Sequence, residues 1–281
     1  DEADGPGDWY TITQSFDTVY TTVAGETIAK RRFFRNVRPM FTPDENAILY
    51  FVDSTGVFEP CLIPMDGGRP DTLQRRALMV DEETGIFGAA GVEITERTVL
   101  EWSPVSSILA FIAGGRLIFF DYQTETVAPI DGIEKVEEFA WSPDGSQLVA
   151  VTSEDGIFLV SAAGSVSGSA VYARERATDE IIGCAFSPSA TEPKIGFRLV
   201  RKGKSALDSW SALVVVDLSS GAATFASPAV PWHSSREIDV PFDWKRIVWE
   251  DDNSGIYAPF AVLDDVNYYR KDYVIFHSYE D

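Results

Sequence analysis

The sequence contains few of the residues that build disulfide frameworks and transition-metal centres. Its 281 residues include two Cys and two His. These four side chains stand at scattered positions with none of the pair spacings of a zinc site, so we predict no metal ligands. Cys61 and Cys184 are expected as two buried free thiols, with a disulfide between them as the alternative. Calcium, which needs only oxygen ligands, stays open because Asp251–Gly255 and Asp1–Asp8 are rich in oxygen-bearing side chains.

Long apolar runs and positive charge are also scarce. No run of 18 apolar residues occurs, which excludes a transmembrane helix from the sequence. The chain carries 23 Lys and Arg against 44 Asp and Glu, a net charge of −21. A chain this acidic is poorly suited to nucleic acid or to an anionic membrane surface. We therefore predict neither as a partner; solubility, a basic partner or a salty habitat would each suit the charge.

The motifs of several enzyme classes are missing. No Gly-x-Ser-x-Gly nucleophile elbow occurs, and the nearest string, Gly164–Gly168, has its serines out of register. A catalytic triad would have to use His233 or His277, and neither lies in a recognisable motif. The Gly-rich stretch 81–96 matches no nucleotide-binding loop and is predicted to be a loop or short hairpin. We assign no catalytic residue and no cofactor, although a pair of channel carboxylates could escape detection.

The clearest pattern in the chain is a repeated alternation of short strands and tight turns. Trp141 ends an apolar run and is followed by four strong turn formers, Ser142 to Gly145. Gln147–Thr152 and Ile157–Ser161 then alternate like half-buried strands and are separated by the turn Glu154-Asp155-Gly156. The stretch Val136–Gly164 therefore predicts a β-meander.

The aromatic-Ser/Thr-Pro phrase recurs along the chain. Its aromatic residues stand about 40 to 60 residues apart, close to the period of one propeller blade; they are Phe41, Trp102, Trp141 and Phe186. One four-stranded blade cannot bury both of its faces, and stacked blades bury each other. The repeat predicts an all-β fold, a single β-propeller of four-stranded blades. We expect six blades, with five or seven as alternatives.

The repeated unit resembles the WD-repeat-like unit of TolB-type β-propellers, which also builds the propeller domains of the prolyl oligopeptidase family. Trp141–Gly145 matches the motif in full, whereas Phe41–Asp44, Trp102–Pro104 and Phe186–Pro188 match it in part. The resemblance covers roughly residues 33–221. It implies a propeller fold and, through the TolB-like motifs, an extracytoplasmic location; it is almost silent on function.

The predicted domain organisation is simple. Residues 1–8 are expected to form a flexible acidic N-terminus, such as the tether left after a leader is removed. Residues 9–281 are expected to form the propeller domain, with N-terminal strands joining Asn267–Tyr279 in the last blade. The segment Arg174–Glu180 is predicted to be a charged surface connector.

The candidate partner-binding residues lie in two predicted loops. Arg201–Ser211 is an insertion between two strands, and Ser227–Ile238 is a Pro-containing loop. Aromatic and Arg side chains on loops are the usual anchors of protein interfaces. The candidates are Trp210, Trp232, Arg201, Lys202 and Lys204. We expect a non-catalytic scaffold that binds a protein or peptide; the alternatives are a hydrolase or lyase with an acidic channel site, and the propeller of a longer peptidase or sensor.

Overall fold

The structure is a computed structural model, and it divides the chain into two compact units. It describes residues 19–23, 26–33, 39–53, 58–66, 69–70, 76–78, 80, 85–95, 98–189, 191–204, 209–226, 230–231, 247–249, 255–264 and 269–278. Unit one takes the described residues up to 102 together with 106–114 and 119–128, and unit two takes the others. Within the described ranges no helix is long and apolar enough to cross a membrane.

The first sheet has seven strands and belongs to unit one. The strands are β1 (Val19–Val23), β2 (Glu26–Phe33), β3 (Met40–Phe41), β4 (Ala47–Asp53), β5 (Phe58–Asp66), β6 (Arg69–Pro70) and β7 (Arg76–Ala77). Their order is β1-β2-β4-β5-β6, with β3 also paired to β4 and β7 to β5. A short helix, α1 (Ile86–Ala89), follows. The predicted loop at 81–96 thus includes one helical turn.

The carboxylate of Glu59 explains why that turn forms. Glu59 is buried on β5, and its two oxygens accept hydrogen bonds of 2.9 Å from the N–H of Phe87 and 2.7 Å from that of Gly88. These are among the N–H groups that the start of a helix leaves unpaired. The Phe87 ring then packs 5.3 Å from that of Phe111 and 5.5 Å from that of Phe120. Sequence reasoning missed the helix because its cap lies 28 residues earlier in the chain.

The next two sheets each have four strands. Sheet two contains β8 (Leu100–Trp102), β9 (Ile108–Ala113), β10 (Arg116–Asp121) and β11 (Thr126–Pro129), and sheet three contains β12 (Val136–Trp141), β13 (Gln147–Thr152), β14 (Gly156–Ser161) and β15 (Tyr172–Ala173). Both follow chain order from one edge to the other. The predicted meander around Trp141 is confirmed strand for strand.

The last two sheets belong to unit two. Sheet four contains β16 (Asp179–Phe186), β17 (Lys194–Arg201), β18 (Trp210–Asp217), β19 (Ala223–Phe225) and β20 (Val230–Pro231), and sheet five contains β21 (Val248–Trp249), β22 (Gly255–Asp264) and β23 (Tyr269–Ser278). In sheet four both β19 and β20 pair with β18. The described strands therefore form five antiparallel sheets.

The placement of the terminal strands differs from the prediction. Among the described strands, β1 pairs with β2 and β2 pairs with β4, while β23 pairs with β22. Each terminal strand thus joins a strand near it in sequence, for which closing the intervening loop costs least. The prediction that the N-terminal strands join Asn267–Tyr279 in the last blade was therefore wrong for β1 and β23. Trp9–Thr13, the other predicted N-terminal strand, lies outside the described residues.

The repeated turn owes its shape to one hydroxyl group. In sheet three the Ser142 hydroxyl lies 2.6 Å from an Asp144 oxygen and accepts a hydrogen bond of 3.2 Å from the N–H of Gln147. The Thr42 hydroxyl does the same in sheet one, at 2.6 Å from Asp44 and 3.0 Å from the N–H of Ala47. In each turn one hydroxyl thus serves as the partner of both the Asp carboxylate and the backbone N–H at the start of the next strand. A short hydroxyl side chain at this position therefore stabilises the turn.

The core of unit two is built from alternate residues of sheets three and four. Val149 and Val151 of β13 and Phe197 and Leu199 of β17 are all fully buried in one cluster. Cys184 lies in the same cluster, whereas Cys61 lies in a separate one in sheet one. Both cysteines are buried and neither forms a disulfide, as predicted.

Candidate partner-binding site

The predicted site residues Arg201 and Trp210 lie directly opposite each other in sheet four. Arg201 ends β17 and Trp210 begins β18, and the two are paired in register. On the far side of Arg201 lies Asp179, and on the far side of Trp210 lies Pro231. The prediction of a loop from Arg201 to Ser211 was wrong at both ends, because cross-strand pairing extends the hairpin to these residues. Trp232, which follows Pro231, lies outside the described residues.

The Arg201 side chain is held by two carboxylates. Its Nε and Nη2 donate hydrogen bonds of 2.8 and 2.7 Å to the two oxygens of Asp179, which is fully buried. Nη2 also lies 2.7 Å from Glu175. The hydrogen bonds to Asp179 raise the pKa of Arg201 above its usual value, with Glu175 contributing, so it stays charged. A bidentate ion pair of this kind fixes both the position and the orientation of the guanidinium group.

Trp210 contacts both this fixed guanidinium and an exposed aromatic ring. The Arg201 guanidinium carbon is 5.0 Å from the centre of the Trp210 ring, within the range of a cation–π contact. The Phe225 ring meets Trp210 edge-on at 6.2 Å. Trp210 is half-buried, and Phe225 is 63% exposed. We call Arg201, Trp210 and Phe225 the Trp210 cluster.

The two predicted lysines belong to the connection that joins β17 to β18. Lys202 forms an ion pair with Glu180, and both side chains are partly exposed. The N–H of Gly203 donates a hydrogen bond of 2.9 Å to the Ser209 hydroxyl. Lys204 is exposed. The structure thus brings four of the five predicted residues to one end of sheet four.

Arg174 is a buried part of the same network and was missed from the sequence. Its side chain is 4% exposed. It donates to the Thr152 carbonyl through Nε at 3.0 Å and Nη2 at 2.6 Å, and Nη1 donates to the Asp179 carbonyl. It also pairs with Glu137 at 3.3 Å. Arg174 therefore joins the β13–β14 turn of sheet three to the start of β16.

The predicted surface connector at Arg174–Glu180 needs a correction for that reason. Asp179 is the first residue of β16 and is fully buried, and the Arg174 side chain is also buried. A run of mixed charges usually lies in solvent, and here two of its members face each other inside the fold. Their partners, Thr152 and Arg201, are distant in sequence, so no local signal could have identified the pair.

Tyr172 lies beside this network. Burial raises the pKa of its hydroxyl, and the nearby carboxylates of Glu175 and Asp179 add to the effect. Its ring meets that of Phe197 at 4.7 Å in an edge-on contact. Tyr172 packs against the core of unit two and so supports the position of β17.

No metal-binding group is found in the part of the chain that the structure describes. It contains no group of three or more His, Cys, Asp or Glu side chains placed to hold a metal ion. His277 lies in β23 and pairs in register with Ile256. His233 lies outside the described residues, as do Asp1–Asp8 and Asp251–Ser254, so the calcium alternative stays a prediction.

Comparison with solved structures identifies the class of fold. The GH74 enzyme of Niastella koreensis matches with a TM-score of 0.53 and 12% identity, over 87% of this chain and 37% of that chain. TolB from Acinetobacter baumannii matches at 0.44 and 15%, over 86% and 55%. A putative dipeptidyl aminopeptidase IV from Bacteroides ovatus matches at 0.45 and 9%, over 82% and 34%. No protein-family model and no curated protein matches the sequence.

The match to the GH74 enzyme, a β-propeller protein, shows that this chain has a β-propeller fold. The four-stranded antiparallel sheets of this chain fit propeller blades. The fold predicted from the repeated motif is therefore confirmed, whereas the number of blades stays a prediction. This chain spans between about a third and a little over half of each matched chain. Function has to be argued from the site itself.

Proposed function

We propose that this protein is a non-catalytic β-propeller scaffold that binds a protein or peptide partner through the Trp210 cluster. The observation that carries the proposal is the exposed Phe225 ring beside a Trp210 ring fixed by Arg201. Aromatic and Arg side chains dominate the binding energy of protein interfaces. A ring held in place before binding loses little conformational entropy when a partner covers it.

The rigidity of the cluster has an identifiable source. Arg201 is fixed by the buried Asp179, and Asp179 begins a strand whose backbone is tied to sheet three through Arg174. Each link is a charge-assisted hydrogen bond, which is about twice as strong as a neutral one. The cluster therefore rests on strands rather than on a mobile loop, as precise recognition requires.

Affinity capture from the native extract tests the proposal. Wild-type protein should retain a stoichiometric protein partner, and Trp210→Ala should lose it. The variant Trp232→Ala tests the second predicted tryptophan separately. Phe41→Ala is the matched control, because Phe41 is also an exposed aromatic, at 58%, and lies in unit one. The proposal fails if nothing is retained at low or high salt, or if Trp210→Ala retains the same partner as wild type.

We further propose an extracytoplasmic location, supported by the TolB-like motif around Trp141. Fractionation of source cells with an antibody against the protein tests it. Recovery from the periplasmic or culture fraction is expected, and recovery with cytoplasmic markers would contradict it.

A further inference from the structure

Two of the three cations predicted for the site, and the neighbouring Arg174, pair with carboxylates of the same chain. Arg201 contacts Asp179 and Glu175, and Lys202 contacts Glu180. Arg174 contacts Glu137. Three cations of the network thus face four carboxylates, so the network offers no surplus of positive charge to an acidic partner. An acidic partner would have to displace these pairs and leave buried Asp179 without its counter-ion, which is costly.

Two of the carboxylates are open to solvent. The Glu175 side chain is 67% exposed while it contacts Arg201 beside the Trp210 ring, and the Glu137 side chain is 56% exposed. The whole chain carries a net charge of −21, which sets up a negative long-range potential around the molecule. Such a potential speeds the approach of basic molecules and slows that of acidic ones.

We propose that the segment recognised by the Trp210 cluster is basic, with an apolar or aromatic side chain next to Lys or Arg. The apolar side chain packs on Trp210 and Phe225, and the neighbouring cation pairs with Glu175. This inference rests on the proposed function and adds the chemistry of the partner to it. A basic segment agrees with the net charge of −21, and the cations Arg201 and Lys202 at the site do not oppose it because both pair with carboxylates of the chain.

Selection from a random peptide display library tests both the binding site and the charge of the segment that it binds. The library is panned on wild-type protein after depletion on the Trp210→Ala variant, so the recovered peptides depend on Trp210. We expect enrichment of an aromatic or large apolar residue together with Lys or Arg. Trp210-dependent peptides that are acidic would overturn this inference and leave the proposed function standing. Absence of any Trp210-dependent peptide would overturn both.

A charge reversal at Lys204 provides the second test, because Lys204 is exposed in the same connection. For the selected peptide, Lys204→Glu should raise the association rate about twofold or more at low salt, since rim charges act mainly on that rate. Arg116→Glu is the matched control; it makes the same change in net charge from sheet two, where Arg116 is 52% exposed. A fall in the association rate with Lys204→Glu would contradict a basic ligand. An effect equal to that of Arg116→Glu would contradict docking at the Trp210 cluster.

Discussion

The carboxylate of Glu138 on β12 accepts a hydrogen bond of 2.6 Å from the backbone N–H of Cys184 on β16. Its other oxygen accepts one of 2.9 Å from the N–H of Gly183. The register of β16 with β17 shifts between Ile182 and Ala185, and Gly183 adopts a φ of +71°. The bulge leaves the N–H groups of Gly183 and Cys184 outside the hydrogen-bond ladder of β16 and β17. The buried Glu138 carboxylate of sheet three accepts hydrogen bonds from both.

Replacing Glu138 should therefore destabilise the join between sheets three and four. Glu138→Gln leaves one oxygen for two N–H donors and turns an amide group towards one of them. We expect a loss of about 2 kcal/mol in the free energy of unfolding, measured by urea denaturation. Glu134→Gln, at an exposed position shortly before β12, should lose less than about 0.5 kcal/mol. Equal losses at the two positions would contradict a role for the Glu138 carboxylate as the acceptor for the bulge.

The Asp179–Arg201 pair is expected to contribute both to stability and to the position of Trp210. Asp179→Ala leaves a largely buried guanidinium with Glu175 as its remaining carboxylate, and should cost about 3 kcal/mol. Glu180→Ala removes the partner of Lys202, which is partly exposed, and should cost less than about 1 kcal/mol. Urea denaturation measures both values.

A spectroscopic signal separates positioning from general destabilisation in that experiment. With 5-fluorotryptophan in place of tryptophan, the Trp210 resonance can be assigned by its loss in Trp210→Phe. In Asp179→Ala this resonance should shift or broaden under conditions where the protein remains folded, whereas in Glu180→Ala it should stay in place. An unchanged Trp210 resonance in Asp179→Ala would show that Arg201 does not hold the ring through Asp179.

Gly156 is a position where no side chain fits. Its φ is +136°, and a Cβ there would lie 2.0 Å from the carbonyl oxygen of Tyr172 on the paired strand β15. Gly156→Ala should cost at least about 2 kcal/mol in unfolding free energy, since the clash is with backbone. Gly221→Ala is the control, with a φ of +71° but no atom within 4 Å, and should cost only about 1 kcal/mol. The account of β14 and β15 would be wrong if the two variants were equally stable.

Asp44 gives the protein a defined acid dependence. The Thr42 hydroxyl, with help from Tyr122 and Asn46, lowers the pKa of Asp44 from 3.8 to about 2. A lowered pKa in the folded state means that the stabilisation is present above about pH 4 and is lost as the pH falls towards 2. Wild type should therefore exceed Asp44→Asn in stability near neutral pH and converge with it near pH 2. The difference should stay below about 1 kcal/mol because Asp44 is exposed.

Urea titrations across that pH range provide the measurement for Asp44. Asp131→Asn is the control, because Asp131 is 95% exposed and lies 3.8 Å from Arg116. Its free energy of unfolding should stay close to that of wild type. A gap between wild type and Asp44→Asn that widens as the pH falls would contradict the hydrogen-bonded turn in sheet one.

The sequence predicts the fold because the fold depends on local, repeated signals. The turn after Trp141 needs Ser142 and Asp144 within a few residues of each other, and those contacts are present. The strand pattern from Gln147 to Ser161 was correct for the same reason. The terminal strands were misplaced because pairing between β2 and β4 has no local signature.

The candidate site could be predicted only in part. Trp210 and Arg201 stand out as residue types, but the sequence did not reveal that they face each other across a strand pair. Phe225 was missed, since one aromatic in a short strand resembles any core residue until its exposure is known. The burial of Asp179 and Arg174 likewise depends on partners about 20 residues away. The composition of a segment does not show which distant residues its side chains will contact.

Photo-crosslinking at position 225 tests the central claim most directly. The protein is made with p-benzoylphenylalanine in place of Phe225, or in place of Phe41 as the control, and is irradiated in its native extract. The account predicts one discrete crosslinked adduct from position 225 and none from position 41. The absence of an adduct at position 225, or the same adduct from both positions, would contradict a docking surface at the Trp210 cluster.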